Sequence, residues 1–296
     1  MELKEIKRKI DSVRNIWKLT GALETLSALK MKKAQKVALL SRPFAEKTAQ
    51  VLSMLDNNLG AEEDRSVFFR KSSGNRTLVL VLASDRGFCG PFNQNILKFS
   101  EKEIKEMQKS REIELLPVGK KAISYLKKKG YDIKRNFFGI GDFGELDDVK
   151  LISDFLTKGF LQKEYQEVYL LYTNFVSTFF QQPKIVKLLP VDSENLKEFF
   201  KKEIAENSAR SIDFLIEPSH KMLAEEIIPG MIVYLIYQAI LEGNASEHSA
   251  RMMAMRNASE NAQKKAGELN LSYNKARQEQ ITREVSEVSS AKEALD

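Results

Sequence analysis

Hydrophobic and polar positions along this chain follow three different rhythms. At the start, Leu3, Ile6, Ile10, Val13, Trp17 and Thr20 recur in alternating steps of three and four, the spacing of a coiled-coil seam. Continued, the row meets Glu24, Ser27, Met31 and Ala34, so the seam turns small and polar past its third heptad. A second stripe, Ile16, Leu19, Leu23 and Leu26, runs beside it and predicts a helix that meets more than one partner. Helical to about residue 57, this segment would be roughly 85 Å long, more than a domain-core helix needs.

The last segment repeats the helical rhythm with smaller residues. Glu217-Pro218-Ser219 reads as a helix start, and Pro229 predicts a kink or restart. Ala258, Ala262 and Ala266 stand four apart and lead to Leu269, Tyr273 and Ala276, then Ile281, Val285 and Val288. Small side chains allow two helices to approach closely, and Met252, Met253 and Met255 add adaptable apolar contacts. From Pro229 onward the helix could reach roughly 100 Å.

Between them the pattern alternates strand and helix. Thr77–Ala83 (TLVLVLA) reads as a buried strand and 92–110 as a helix. A strand at 113–118 precedes a helix at 120–129. The stretch 147–162 is helical, 167–174 is a third strand, and 183–189 is an edge strand. Such βαβ units predict a mostly parallel sheet. Residue types mark the same divisions. Residues 1–59 hold one glycine and one proline, 244–296 hold one glycine and no proline, and all seventeen phenylalanines lie between Phe44 and Phe214. Breakers and bulky core formers belong to a compact domain, and their scarcity at the ends favours long helices. The expected fold is an α/β insertion on a long antiparallel coiled coil. The N- and C-terminal helices pair, and the central domain is a Rossmann-like, mostly parallel sheet with flanking helices. The expected segments are 1–59, 60–217 and 218–296.

Charge changes this picture in one place. Residues 1–40 hold ten Lys/Arg against four Asp/Glu, while the other 256 residues hold 37 of each, so the net +6 belongs to the first helix. A localised field of this kind suits an acidic partner, either nucleic acid or an acidic protein surface, and is equally compatible with a solvated helix face. No stretch approaches the ~18–20 uncharged apolar residues of a membrane span; the longest candidate, 227–241, contains Pro229 and Gly230. The first residues lack the apolar core of a signal peptide, which predicts a cytoplasmic protein. With one cysteine, Cys89, and two distant histidines, His220 and His248, no disulfide, metal site or cofactor is expected.

Nucleotide chemistry would sit in the turn after the first strand, Ser84-Asp85-Arg86-Gly87-Phe88-Cys89-Gly90. That turn has neither glycine-rich phosphate motif, and Asp85 would repel a pyrophosphate. Gly139, Gly141 and Gly144 spell Gly-x-Gly-x-x-Gly, but Asp142, Glu145, Asp147 and Asp148 make the loop acidic and no good strand precedes it. Cys89 has no nearby histidine to activate it. Glu62 and Glu63 lie in a polar linker and need no catalytic role.

Three stretches resemble the gamma subunit of F-type ATP synthases. They are Ala245–Met255 (ASEHSARMMAM) with its continuation through Asn257-Ala258, Asn261-Ala262, LSYNKARQ at 271–278 and Ile281-Thr282-Arg283-Glu284; the turn Ser84–Gly90; and the opening KEIKRKIDSVRNIWKLTGALE. The resemblance spans essentially the whole chain. It implies a non-catalytic rotor shaft turning inside a ring of alpha and beta subunits, which carry the nucleotide sites. The inserted domain would stand at the foot, against the membrane c-ring and the epsilon subunit, on the cytoplasmic face of the bacterial inner membrane. It implies that Arg277, Gln278 and Thr282, with Arg251 nearby, meet a catch loop of a beta subunit, and that Lys30, Lys32, Lys33 and Lys36 face an acidic lever. An ordinary solvated face remains the alternative for both sets. Departures are Pro91 and Gly21, where the family has Gly and Lys, and a more polar tail from Glu287 to Leu295. The chain lacks the dithiol segment of chloroplast members, which implies no redox regulation. Two other classes stay open on residues alone: a basic coiled-coil protein that binds nucleic acid, and a Rossmann-type enzyme with helical arms.

Overall fold

In the computed structural model, residues 3–57, 66–70, 72, 75–142, 145–191 and 219–293 are described. The chain runs α1 (Leu3–Asn57), β1 (Arg76–Leu82), α2 (Phe92–Met107), β2 (Glu112–Val118), α3 (Lys120–Lys128), α4 (Leu146–Leu161), β3 (Tyr165–Phe175), β4 (Gln181–Leu189) and α5 (His220–Glu293). It divides into two compact units, one of Met1–Ala28 with Arg251–Asp296 and one of Leu29–Ala250. Glu62, Glu63, Gly144 and the expected boundaries at 59/60 and 217/218 lie outside the described residues.

In the Leu29–Ala250 unit the strand order is β2-β1-β3-β4. β1 pairs in parallel with both β2 and β3, and β4 closes the edge antiparallel to β3. A central strand covered on both faces needs a continuous apolar run, and 78–82 supplies one with every residue buried. Leu78, Leu80 and Leu82 point into one core with α4 residues Ile152, Leu156 and Phe160 and with α5 residues from Ala224 to Ile240. Val79 and Val81 point the other way, against Ile96 and Ile104 of α2 and Ala122 and Leu126 of α3. The result is helix, sheet, helix, with the first half of α5 forming part of one outer layer.

That packing corrects two expectations. Helix α5 does not restart at Pro229, and Ile228, Met231 and Ile232 are buried around the turn whose hydrogen bond the proline ring removes. The same helix contains an 18-residue window apolar enough to cross a membrane, contrary to the expectation that none approaches it. Its apolar side chains belong instead to the core against the sheet, and 56% of that window is buried.

In the other unit, α1 and α5 pair. Ile6, Ile10, Thr20 and Ser27 of the expected seam are buried, and Trp17 is the seam residue left exposed. Opposite them Met255 and Ala262 are buried, with Ala258, Ala266, Leu269, Tyr273 and Ala276 half-buried. A Cβ added to Gly21 would lie 4.0 Å from the Ser259 hydroxyl, so these residues face each other. Counting eighteen residues back from Gly21 and eighteen on from Ser259 sets Leu3 opposite Arg277 in an antiparallel pair. Every residue from Arg277 to Ser290 is exposed, as that register requires.

Candidate functional site

The end of the coiled coil follows from this register. Arg277 stands level with Leu3, and Gln278 and Thr282 follow it on the same exposed stretch of α5. Ile281, Val285 and Val288 are exposed there at 47%, 60% and 71%, an apolar cost that a lone helix in water does not recover. The second stripe of α1 is open too: Ile16, Leu19 and Leu26 lie on the surface. Arg251 is elsewhere. It is buried, and twenty-six residues of helix put it roughly 39 Å along the axis from Arg277. Arg277, Gln278 and Thr282 therefore share a place on the helix, and Arg251 does not join them.

The four lysines of α1 also separate. Lys32, Lys33 and Lys36 are exposed. Lys30 is half-buried, and its Nζ lies 2.6 Å from Oδ2 of Asp142, an ion pair inside the Leu29–Ala250 unit.

At the carboxyl end of β1 the turn is held by its own side chains. The Ser84 hydroxyl donates to the Arg86 carbonyl at 2.6 Å, and the Asn93 amide group bonds the Ser84 hydroxyl and the Cys89 sulfur. Phe88 and Gly90 adopt positive φ of 60° and 56°, which aims Phe88 into solvent, 81% exposed. Arg86 is exposed and Gly87 half-buried. Cys89 is buried, a small core residue under the turn. Pro91 takes the N-cap of α2 with φ −81°, a value its ring permits.

Asp85 explains why this corner is structural. Its carboxylate accepts from the backbone N–H of Lys120 at 2.8 Å and of Gly139 at 2.9 Å. At the start of α3 the Lys120 N–H is thus capped by a carboxylate of the same chain, and the Lys121 N–H donates to the Ser84 carbonyl. Gly119, with φ 95°, leads into α3, and a Cβ there would run into the Ala83 carbonyl. The Gly139–Gly141 stretch serves as a receiver for Asp85, and no cluster of three or more metal-ligating side chains exists among the described residues.

Sequence reasoning missed one group of residues. On α5, Asn244 donates to the Asp142 carbonyl at 2.9 Å, Ser246 to the Thr173 carbonyl at 3.5 Å and Ser249 to the Thr178 carbonyl at 2.5 Å. Nε2 of buried His248 lies 3.1 Å from Oδ1 of Asp142. Five polar residues in the six from Asn244 to Ser249 were the available signal.

A family model described as ATP synthase matches residues 2–295. The ATP synthase gamma chain of Pelotomaculum thermopropionicum is 35% identical over 294 residues, covering 99% of both chains. That of Geotalea uraniireducens is 37% identical over 296 residues, covering 99% of this chain and 98% of the relative. The chain belongs to the ATP synthase gamma family. Among solved structures, the central stalk of the Tetrahymena thermophila mitochondrial ATP synthase aligns with TM-score 0.62 at 25% identity, over 81% of this chain and 99% of that one. A chain of the Euglena gracilis mitochondrial ATP synthase aligns with TM-score 0.64 at 17% identity, over 99% and 94%, and supports the fold. Membership in the gamma family makes the chain a non-catalytic central-stalk subunit, and neither the nucleic-acid nor the enzyme reading is supported.

Proposed function

We infer that this chain is the turning shaft of a rotary ATP synthase, standing inside an alpha/beta ring and coupling ion flow across a membrane to ATP synthesis or hydrolysis. The observation that carries the reading is the bare end of α5. A helix with Ile281, Val285 and Val288 in water is completed by a surrounding bearing, as the open stripe of α1 is by a ring wall. Segments 1–59 and 218–296 supply the shaft, and 60–217 supplies the foot, which meets the c-ring and the epsilon subunit. Arg277, Gln278 and Thr282 meet a catch loop of a beta subunit, and an Arg there suits bidentate pairing with a carboxylate. Lys32, Lys33 and Lys36 face an acidic lever on the same subunits, a contact that salt weakens. Arg251, buried twenty-six residues from Arg277, stands apart from the catch, and Lys30 is engaged by Asp142. The turn Ser84–Gly90 shapes the foot. The working place is the cytoplasmic face of a bacterial inner membrane, held there through partner subunits.

Affinity capture of this chain from its native membrane tests the reading. ATP-hydrolysing alpha and beta subunits are expected in the captured material. Their absence, with the chain recovered alone or with nucleic acid, would overturn it.

A further inference from the structure

We infer that Asp142 is a positioning residue that grips both long helices at once and passes torque between them and the sheet. The inference rests on the shaft reading and lies wholly within the Leu29–Ala250 unit.

One carboxylate serves two helices. Oδ2 takes the ammonium of Lys30 from α1 at 2.6 Å, and Oδ1 takes Nε2 of His248 from α5 at 3.1 Å. Charge-assisted bonds of this length are among the stronger ones available to side chains. The His248 side chain is 3% exposed, that of Lys30 26% and that of Asp142 37%, so the group is part-buried and water screens it in part. Burial pushes the Asp142 carboxyl up, but the Lys30 hydrogen bond and the His248 imidazole outweigh it and hold the group below the ordinary carboxylate value. The side chain therefore stays an anion at neutral pH. Asn244, one turn before His248, adds a bond to the backbone of the same residue.

The other end of the short loop is fixed to the sheet. The Phe137 N–H donates to the Pro117 carbonyl and the Gly119 N–H to the Phe137 carbonyl, which joins the loop to the end of β2. Asp85 holds Gly139 from the end of β1. Residues 137–142 thus form a strut, with two strand ends at one side and two shaft helices at the other. Force applied to a sheet reaches α5 also through Ser246 and Ser249, which bond β3 and the turn after it. One side-chain tie to α1 runs through Lys30 and Asp142. A shaft loosened there would slip at α1 under load while still turning freely when unloaded.

The test compares loaded with unloaded work in the assembled ATP synthase. Asp142→Asn keeps the side chain's shape and removes its charge, Lys30→Met removes the cation, and Lys30→Arg keeps it. For each, ATP hydrolysis and ATP-driven ion uptake into vesicles are measured on complexes carrying this chain at wild-type stoichiometry. Ions moved per ATP are expected to fall about fivefold in Asp142→Asn and Lys30→Met and to stay within about twofold in Lys30→Arg. Hydrolysis in detergent, without an ion load, is expected to change little in Asp142→Asn. Wild-type transport per ATP in both Asp142→Asn and Lys30→Met would overturn the proposal. Failure of both to assemble would overturn it too, by assigning Asp142 to folding alone. If the wild-type complex itself moves no ions, the shaft reading fails and takes this proposal with it.

Discussion

The two units of this chain solve the burial problem in opposite ways. The Leu29–Ala250 unit covers its sheet on both faces, and Leu78, Leu80, Leu170 and Ile236 are fully buried. The unit formed by Met1–Ala28 and Arg251–Asp296 buries one narrow seam and leaves Ile16, Leu19, Leu271, Ile281, Val285 and Val288 on the surface. The difference separates apolar residues that hold a fold from apolar residues that wait for a partner. It also separates the effects of mutation.

The largest effect is expected in the sheet. Leu80→Ala removes buried methyl groups from a packed face and should cost about 2–5 kcal/mol. Denaturant unfolding of the chain checks it, and a loss below about 1 kcal/mol would show that the sheet core is not as closed as described. Next is Gly119→Ala, which sets a Cβ against the Ala83 carbonyl at φ 95° and should cost about 1–3 kcal/mol by the same measurement. An unchanged midpoint would mean that the β2–α3 turn relaxes at no cost.

A smaller effect separates α2 from α3. Hydrogen bonds from Lys105, Tyr125 and Lys129 hold the Glu101 carboxyl down at about 2, against an ordinary 4.5. A depressed carboxyl stabilises the fold above its unfolded value and loses that contribution as pH falls from about 4.5 towards 2. Glu101→Gln should therefore flatten the decline of the thermal midpoint across that window. An identical decline in both proteins would remove Glu101 as its source.

The smallest effect on folding, and the sharpest contrast, belongs to the open stripe. Leu19→Ser replaces a side chain that is 62% exposed and should change stability by no more than about 0.5 kcal/mol. It should still lower assembly with alpha and beta subunits in a reconstitution assay. Equal assembly would mean that the stripe meets nothing.

Much of this was legible in the residues. The strand runs and the amphipathic helices lie within three residues of where periodicity placed them, because each repeats a local rhythm. The seam of α1 was legible for the same reason, down to buried Thr20 and Ser27. The first half of α5 was not. Residues 227–241 are apolar all round, and periodicity alone cannot tell a shaft from a core helix. Pro229 argued for a kink or a restart, and the helix does not restart there. The Asp142 grip was invisible for another reason, since Lys30 and His248 stand 112 and 106 residues from it and no local pattern reports such pairs. Asp142 read as one more acid in an acidic loop. The family motif did mark 245–251 as special, without saying that Ser246 and Ser249 bond β3 and the turn after it or that His248 meets Asp142.

Rotation is the central claim, and it can be watched. Cys89 is buried at 2% exposure, so Lys102→Cys on the exposed face of α2 gives a selective attachment point for a bead. With the alpha/beta ring of the assembled complex fixed to glass, added ATP should turn the bead continuously in one direction, and an ATPase inhibitor should stop it. A bead that stays still or only jitters, on complexes that hydrolyse ATP at the normal rate, would contradict the account.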